Sequence, residues 1–254
     1  MTLILTPLTG LPIIKPGDDL ADLIADVIKH AEMNLADGDI LVIAQKIISK
    51  SEDRFVNLND ISPSERALEL AQHVDKDARL IELVIEESKS ILRYRSGTII
   101  VEHRLGFVCA NAGIDHSNVR KDNDSDDWVL LLPENPDRSA DGIRRSLEKW
   151  SNKRIGVMVI DSHGRAWRLG TVGVAIGLSG IPGIEDLRGD ADMFGRTLRV
   201  TQVGVADELA AAASLMMGQA AEGTPVVHVR GFPYPLREGS LQELLRPEEE
   251  DLFR

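Results

Sequence analysis

The chain has 254 residues, with 41 acidic and 29 basic side chains and a formal net charge of −12. So acidic a chain lacks the basic surface for nonspecific nucleic-acid binding, and an aromatic content of 4% leaves few platforms for stacking bases. No apolar run reaches the roughly eighteen residues of a membrane span, and no secretory leader is evident. Because Cys109 is the single cysteine, an internal disulfide is excluded. We therefore expect a cytoplasmic protein.

The first 50 residues predict a strand, a helix and a second strand. The first strand is expected at 2–6. Apolar residues recurring at helical spacing predict a helix from about Asp18 to Met33, with Asp18 or Asp19 as its N-cap. Residues 38–50 are typical of a buried strand that runs into a basic segment.

Helix-start signals dominate the next segment. Ser62 and Glu65 have the spacing of a capping box, with Pro63 at the first helical position, which predicts a helix to about Val74. A second helix is expected at about 77–88. Three strands are expected after it, at 90–94, 98–103 and 128–132.

The rest of the chain predicts elements of both kinds. The polar run at 120–127 is typical of a solvated loop, and Ser139 is the expected N-cap of a helix to about Trp150. Strands are expected at 154–161, 171–180 and 224–231, with a helix at 205–218. Neighbouring strand pairs without regular βαβ alternation favour an α+β fold with substantial antiparallel sheet. We expect one unit over 1–254, with two lobes that meet near 130–150.

Two acids are the main candidates for chemistry, since the familiar phosphate loops and hydrolase motifs are missing from the sequence. Asp115 ends a Gly- and Ala-rich stretch, while Asp161 ends the strand expected at 154–161 and precedes Ser162. Carboxylate and hydroxyl oxygens suit Mg²⁺ or Mn²⁺ better than Zn²⁺. Each acid is also an ordinary turn residue, and spacing alone does not show whether the two meet.

Two lysines follow the buried strand at 38–50. Lys46 and Lys50 would act as point charges on phosphate oxygens, or they would form a solvated edge. From the residues alone, the chain is an acidic α+β protein with a candidate divalent-cation site and a candidate anion site.

Six long segments of the sequence resemble the coenzyme F-420:L-glutamate ligase family, the gamma-glutamyl ligases of deazaflavin coenzyme biosynthesis. They occur in the family's order, at 11–24, 37–52, 106–118, 131–140, 161–177 and 195–219. The resemblance extends from about residue 3 to 252. It implies an α+β, two-lobed fold and an intertwined homodimer with the site near the subunit interface. The C-terminal reductase domain of some relatives is expected to be absent.

The resemblance implies a GTP-dependent ligase. Such an enzyme joins the amine of L-glutamate to the carboxylate of the lactyl- or related phospho-deazaflavin precursor F-420-0, and further glutamate is then added through a gamma-linkage. Phosphoryl transfer from GTP makes an acyl phosphate, which the amine attacks, so that GDP and phosphate are released. Two divalent ions, Mg²⁺ or Mn²⁺, are implied, and K⁺ is expected to assist.

The resemblance also assigns roles to residues. Asp115 and Asp161 would bind one divalent ion, Ser162 and Gln219 would bind the second, and Lys50 would join the two acids as a catalytic group. An amide oxygen carries no charge, so Gln219 would hold its ion more weakly than an acid would. The implied GTP-binding residues are Leu11, Pro12, Ile13, Ile14, Gln45, Lys46, Lys50, Asn118, Met217, Gly218, Gln219, Ala220, Ala221, Glu222, Gly223 and Thr224.

Two alternative functions stay open at this stage. A ligase of the same fold would glutamylate another acid, such as a pterin or folate. A GTP-binding regulator would bind the nucleotide without turnover. For the ligase, His116 and His163 adjoin the metal acids and are the candidates for the base that accepts the amine proton.

Overall fold

A five-stranded sheet lies at the centre of the computed structural model, which describes residues 2–119 and 127–252. With strands numbered in chain order, its members are β1 (Ile4–Leu8), β2 (Ile40–Ala44), β8 (Gly156–Arg165), β9 (Arg168–Ser179) and β12 (Val226–Arg230). Their spatial order is β1–β12–β2–β8–β9. The β2–β8 pair is parallel and the other three pairs are antiparallel.

Three small antiparallel sheets surround this centre. They are formed by β3 (Phe55–Asn57) with β7 (Trp128–Leu130), by β4 (Ser88–Arg95) with β5 (Thr98–His103) and β6 (Val108–Ala110), and by β10 (Glu185–Asp186) with β11 (Gln202–Val203). The α-helices are α1 (Leu20–His30), α2 (Gln45–Ser51), α3 (Glu65–Val74), α4 (Ala78–Glu86), α5 (Pro136–Ser151) and α6 (Val205–Met217). No helix in the described part of the chain is long and apolar enough to cross a membrane.

Helices cover both faces of the central sheet because its strands are apolar on both sides. Side chains alternate between the faces of a strand, so Leu41 and Ile43 of β2 pack with α1 and α5. Val42, between them, belongs to the cluster that contains Leu209 and Ala213 of α6. A separate cluster joins α3 and α4 to β5.

Two glycines of β9 allow close packing against this sheet. A Cβ atom at Gly173 would lie 2.6 Å from the carbonyl oxygen of Ala210 in α6. At Gly177 it would lie 2.5 Å from the carbonyl carbon of Pro136 in α5. Any side chain here would push the helix away from the sheet.

The mixture of helices with several antiparallel sheets confirms the predicted α+β fold class. The lobe boundary near 130–150 and the intertwined dimer stay predictions. The predicted loop at 120–127 lies outside the described residues, apart from Asp127.

Several predicted helix and strand starts were wrong. The N-cap of α3 is Ser64, whose hydroxyl accepts from the backbone N–H of Ala67 at 3.3 Å, so Ser62 and Pro63 precede the cap. Helix α5 begins at Pro136 after an Asn135 cap, which places Ser139 inside the helix. The first strand was also set two residues too early, since β1 is Ile4–Leu8.

Candidate active site

A cavity of about 870 Å³ opens where β2 ends at Ala44, beside residues 160–162 of β8. These strands are parallel and pair Ala44 with Ile160, which sets Gln45 beside Asp161. Strand β2 ends at Ala44, but β8 continues to Arg165 because its pairing with β9 extends past Asp161, so the prediction that Asp161 ends its strand was wrong. Three other segments complete the lining, at 11–14, 116–119 (without Ser117) and 217–225. Every residue that the sequence assigned to GTP lines this cavity, together with Asp161 and Ser162. The structure therefore brings the predicted residues together, and their roles stay predictions.

Asp115 lies beside the cavity, where backbone hydrogen bonds and two side chains of α2 hold it. Its backbone exchanges two hydrogen bonds of 2.9 Å with Leu130. Its Oδ1 atom lies 3.2 Å from Nζ of Lys46, and Oδ2 accepts a hydrogen bond of 2.5 Å from Nε2 of Gln45. Gln45 is buried, and its own amide oxygen accepts from the Ser49 hydroxyl at 2.9 Å. Both carboxylate oxygens of Asp115 are thus fixed in direction.

Asp115 and Asp161 lie close enough for the charge of Asp161 to act on Asp115. Burial and the charge of Asp161 raise the pKa of Asp115 to about 6, although Lys46 and Gln45 oppose the shift. Burial also disfavours charge on Asp161, but its interactions with His163, the backbone N–H of Ser162 and Lys46 together outweigh burial and hold that pKa below its usual range. A divalent cation between two such acids would relieve their repulsion.

Ser162 and Gln219 form the second predicted metal pair. Ser162 follows Asp161 in β8 and therefore points to the opposite face of the strand. Its hydroxyl donates to Oε1 of Gln219 at 3.0 Å, while Nε2 of Gln219 donates to the Ser214 hydroxyl at 3.1 Å. Two side chains 57 positions apart in sequence thus share one edge of the cavity.

The donor set fits a hard divalent ion. It comprises two carboxylates, a hydroxyl and an amide oxygen, and Mg²⁺ is usually bound by one or two carboxylates plus waters and substrate phosphates. Within residues 2–119 and 127–252, no three His, Cys, Asp or Glu side chains gather as a ready metal cage. The protein would therefore supply part of the coordination shell, and nucleotide phosphates and water would complete it.

Two lysines place positive charge along the same cavity. Nζ of Lys50 donates to the backbone oxygen of Asn118 at 2.8 Å, and burial together with the charge of Lys46 lowers the pKa of Lys50. Nδ2 of Asn118 donates to the backbone oxygen of Ala220 at 3.2 Å. These bonds link α2, the segment after Asp115 and the loop after α6 into one rim.

The loop after α6 folds back on itself at the cavity. Gly218 ends the helix with φ +73, and the carboxylate of Glu222 accepts from the backbone N–H of Ala220 at 2.8 Å. The Thr224 hydroxyl donates to the backbone oxygen of Met217 at 3.0 Å. The loop is held by its own side chains, as a preformed ligand site requires.

Two residues that hold side chains of the site were not predicted from the sequence. Ser49 and Ser214 hold the amides of Gln45 and Gln219, yet neither was predicted. Ser49 follows Gln45 by one helical turn, a relationship visible once α2 is known to be a helix. The prediction had placed this segment in a strand and the basic stretch after it.

Residues 10–231 of the chain match the family model described as F420-0:gamma-glutamyl ligase. The chain belongs to this family. It is 47% identical over 247 residues to the coenzyme F420:L-glutamate ligase of Methanothermobacter thermautotrophicus, with 96% of each chain covered. The protein of that name from Methanocaldococcus jannaschii is 45% identical over 246 residues, which cover 96% of this chain and 94% of the relative.

A third ligase of that name, from Archaeoglobus fulgidus, is 44% identical over 248 residues, with 98% of this chain and 95% of the relative covered. As a member of the F420-0:gamma-glutamyl ligase family, the chain is a ligase of glutamate addition in coenzyme F420 biosynthesis. The resemblance noted from sequence is confirmed.

Proposed function

We propose that the chain is a GTP-dependent ligase that joins L-glutamate to the carboxylate of F-420-0 through an acyl phosphate, and then extends the product by gamma-linkage. The observation that carries this proposal is a cavity lined by Asp161, Lys46 and Lys50, with Asp115 beside it at 3.2 Å from Nζ of Lys46. Two acids and two lysines beside a cavity of this size suit a nucleoside triphosphate with its metal ions.

The chemistry requires charge neutralisation and alignment more than a protein nucleophile. A carboxylate oxygen of the acceptor attacks the gamma-phosphorus of GTP, the bond to the beta-phosphate oxygen breaks, and GDP leaves. The amine of glutamate then attacks the acyl carbon, phosphate leaves, and the nitrogen loses a proton. The carboxylate needs this activation because it is a poor electrophile.

Each cluster of side chains has a part in this scheme. Bound Mg²⁺ or Mn²⁺ would supply Lewis-acid stabilisation of the phosphate charge. Asp115 and Asp161 would hold one ion, and Ser162 with Gln219 would hold the other. Lys50 would face the phosphates as a fixed cation, and K⁺ would add to that charge.

The nucleotide itself would lie between two loops. The segments 11–14 and 217–224 line the cavity together with Asn118, so they would enclose GTP. Their apolar residues would cover the base and sugar, while the lysines of α2 face the phosphates. This arrangement follows the usual composition of cofactor sites, which are largely apolar with a few placed polar groups.

Exposed apolar side chains support the proposed homodimer. Leu169, near the start of β9, is 98% exposed, and Met193 and Phe194 are 96% and 86% exposed. If these side chains form one patch in the homodimer, that patch would be the interaction surface. A second copy of the chain would cover the hairpin and the segment 185–203.

A product assay tests the ligase. Purified protein would be incubated with GTP, MnCl₂ or MgCl₂, KCl, L-glutamate and F-420-0, and the products read by mass spectrometry. Products heavier by glutamyl units are expected, and Asp115→Asn and Asp161→Asn should reduce their formation by more than about 100-fold. Asp22→Asn, at an exposed acid of α1, is the matched control.

The alternatives have different outcomes in the same assay. Glutamylation of a pterin or folate, with F-420-0 left unchanged, would replace the proposed acceptor. GTP binding without product from any acceptor would support a regulator instead of an enzyme.

A further inference from the structure

His163 lies on the same face of β8 as Asp161, two residues further along the strand. Its Nε2 atom is 3.1 Å from Oδ2 of Asp161. The two side chains are 10% and 14% exposed, so water competes little for this hydrogen bond. The contact therefore fixes the direction of one carboxylate of the candidate metal site.

A phenylalanine from the turn between β5 and β6 packs against the His163 ring. The ring of Phe107 packs against His163 with centroids 5.2 Å apart and planes at 49°. Phe107 also stacks on His103, with centroids 5.2 Å apart and planes at 7°. Phe107 thus contacts two imidazoles, one fully buried and one bonded to Asp161.

Hydrogen bonds hold the His103 ring on which Phe107 stacks. The backbone N–H of His103 donates to the oxygen of Phe107 at 2.9 Å, which closes the turn after β5. The N–H of Leu105 donates to Nδ1 of His103 at 3.0 Å, so a neutral ring carries its proton on Nε2. That nitrogen lies 3.6 Å from the carboxylate of Glu87, which Arg104 also approaches at 3.0 Å.

We propose that His163 is a positioning residue for the ligase reaction: it holds Oδ2 of Asp161, fixes the carboxylate for the divalent ion, and is itself held by Phe107. This inference rests on the proposed function of the site. A carboxylate already held in one rotamer loses less entropy when it binds a metal, and partners of this kind change metal affinity by about 10- to 100-fold.

The geometry assigns Nε2 of His163 to Asp161. Positioning requires only that this hydrogen bond stay in place.

Mn²⁺ binding, measured by titration calorimetry and by the Mn²⁺ paramagnetic resonance signal at fixed pH with GDP present, tests the inference. His163→Phe retains a ring against Phe107 and removes the donor, so the Kd for Mn²⁺ should rise about 10- to 100-fold. His163→Gln restores a donor at similar reach and should recover most of that loss. Phe107→Leu removes the packed ring and should weaken binding by several-fold, within about 10-fold.

Two reference variants separate the possible failures. Asp161→Asn should abolish the tight Mn²⁺ site, and if it binds like the unchanged protein, the proposed metal site itself is wrong. If Asp161→Asn loses Mn²⁺ while His163→Phe and Phe107→Leu bind normally, only the positioning role is overturned. His73→Phe, at an exposed histidine of α3, is the matched control. Should His163→Phe fail to fold, Phe107→Leu decides: normal Mn²⁺ affinity in that variant overturns the inference.

Discussion

The hydroxyl of Ser162 donates a 3.0 Å hydrogen bond to the amide oxygen of Gln219, which joins β8 to the loop after α6. Both residues line the cavity. Oxygen atoms held this close can bind one hard ion, but neither brings a formal charge. The second ion of the proposed site would therefore depend on phosphate for its neutralisation.

Charge at residue 219 should change the affinity of this second site. Gln219→Glu adds a carboxylate and should tighten Mn²⁺ binding in the presence of GDP, whereas Gln219→Ala removes the oxygen and should weaken it. Calorimetric titration gives both constants. Gln72→Glu, at an exposed position of α3, controls for the added charge. Equal Mn²⁺ affinities in the unchanged protein, Gln219→Glu and Gln219→Ala would exclude Gln219 from the metal site.

Loss of the Lys50 charge should weaken nucleotide binding. Its ammonium donates to the backbone oxygen of Asn118 at the cavity rim, and a charged hydrogen bond to phosphate is worth about 1.5–3 kcal/mol. Lys50→Gln should therefore raise the Kd for GTP about 10- to 100-fold. Fluorescence titration with a labelled GTP measures this, with Lys29→Gln in α1 as control. A Kd within twofold of the unchanged protein would place the phosphates elsewhere.

Asp39 should contribute strongly to stability at neutral pH. It is buried and accepts from Nε2 of His228 at 2.8 Å and from Arg230 at 2.6 and 2.9 Å. Burial disfavours its charge, but the bonds from Arg230 and His228 prevail and hold the pKa of Asp39 below its usual range. Asp39→Asn should cost about 3 kcal/mol at pH 7, or roughly 6–12 °C in Tm.

The pH dependence of that difference has a definite sign. A lowered carboxyl pKa stabilises the fold above the unfolded pKa, near 3.9, and this stabilisation is lost as the pH falls. The Tm gap between Asp39→Asn and the unchanged protein should therefore narrow below about pH 4. Calorimetric scans from pH 3.5 to 8 would show it, and a gap constant with pH would contradict the charge-based account.

Charges on the exposed apolar surface should prevent self-association. Leu169→Glu and Phe194→Glu each place a carboxylate at a side chain that is at least 86% exposed. If a second copy covers this surface, burying an unpaired charge would convert the dimer to monomer. Light scattering after size exclusion gives the mass, and Leu68→Glu on α3 is the control. Unchanged dimers in both variants would move the interface to another surface.

A methyl group at Gly173 should destabilise the protein. Its Cβ would lie 2.6 Å from the Ala210 carbonyl oxygen, and overpacking of this kind costs about 1–3 kcal/mol. A Cβ atom at Gly142, inside α5, would instead point into open space, so Gly142→Ala should stabilise by about 0.5–1 kcal/mol. Opposite Tm shifts are expected. A stable Gly173→Ala protein would show that α6 can shift away from β9.

Local patterns predicted the elements with strong periodicity or clear stops. Helix α6 begins at Val205 and is ended by the Gly218 cap as expected, and the N-cap of α1 is Asp19, one of the two candidates. Helix α2 was missed because it has seven residues and includes Ile47 and Ile48, which continue the apolar run of β2. Single-residue capping signals failed where a better cap lay nearby, as Asn135 does before Pro136.

The site could be recognised from sequence, but its assembly could not be derived from it. Nothing local shows that β2 pairs in parallel with β8, and this pairing places Gln45 beside Asp161 at one edge. The Gln45–Asp115 hydrogen bond likewise spans 70 positions. Long-range register decides both contacts, whereas residue type alone indicated the hard-oxygen chemistry.

The position of β12 in the central sheet has a consequence for synthesis of the chain. This strand ends at Arg230, yet it lies between β1 and β2, which are made first. Until about nine-tenths of the chain has left the ribosome, β1 has no partner strand and β2 lacks one neighbour. Open strand edges of this kind promote aggregation. Newly made chains should therefore depend on chaperones late in translation, and truncation before β12 should yield insoluble protein.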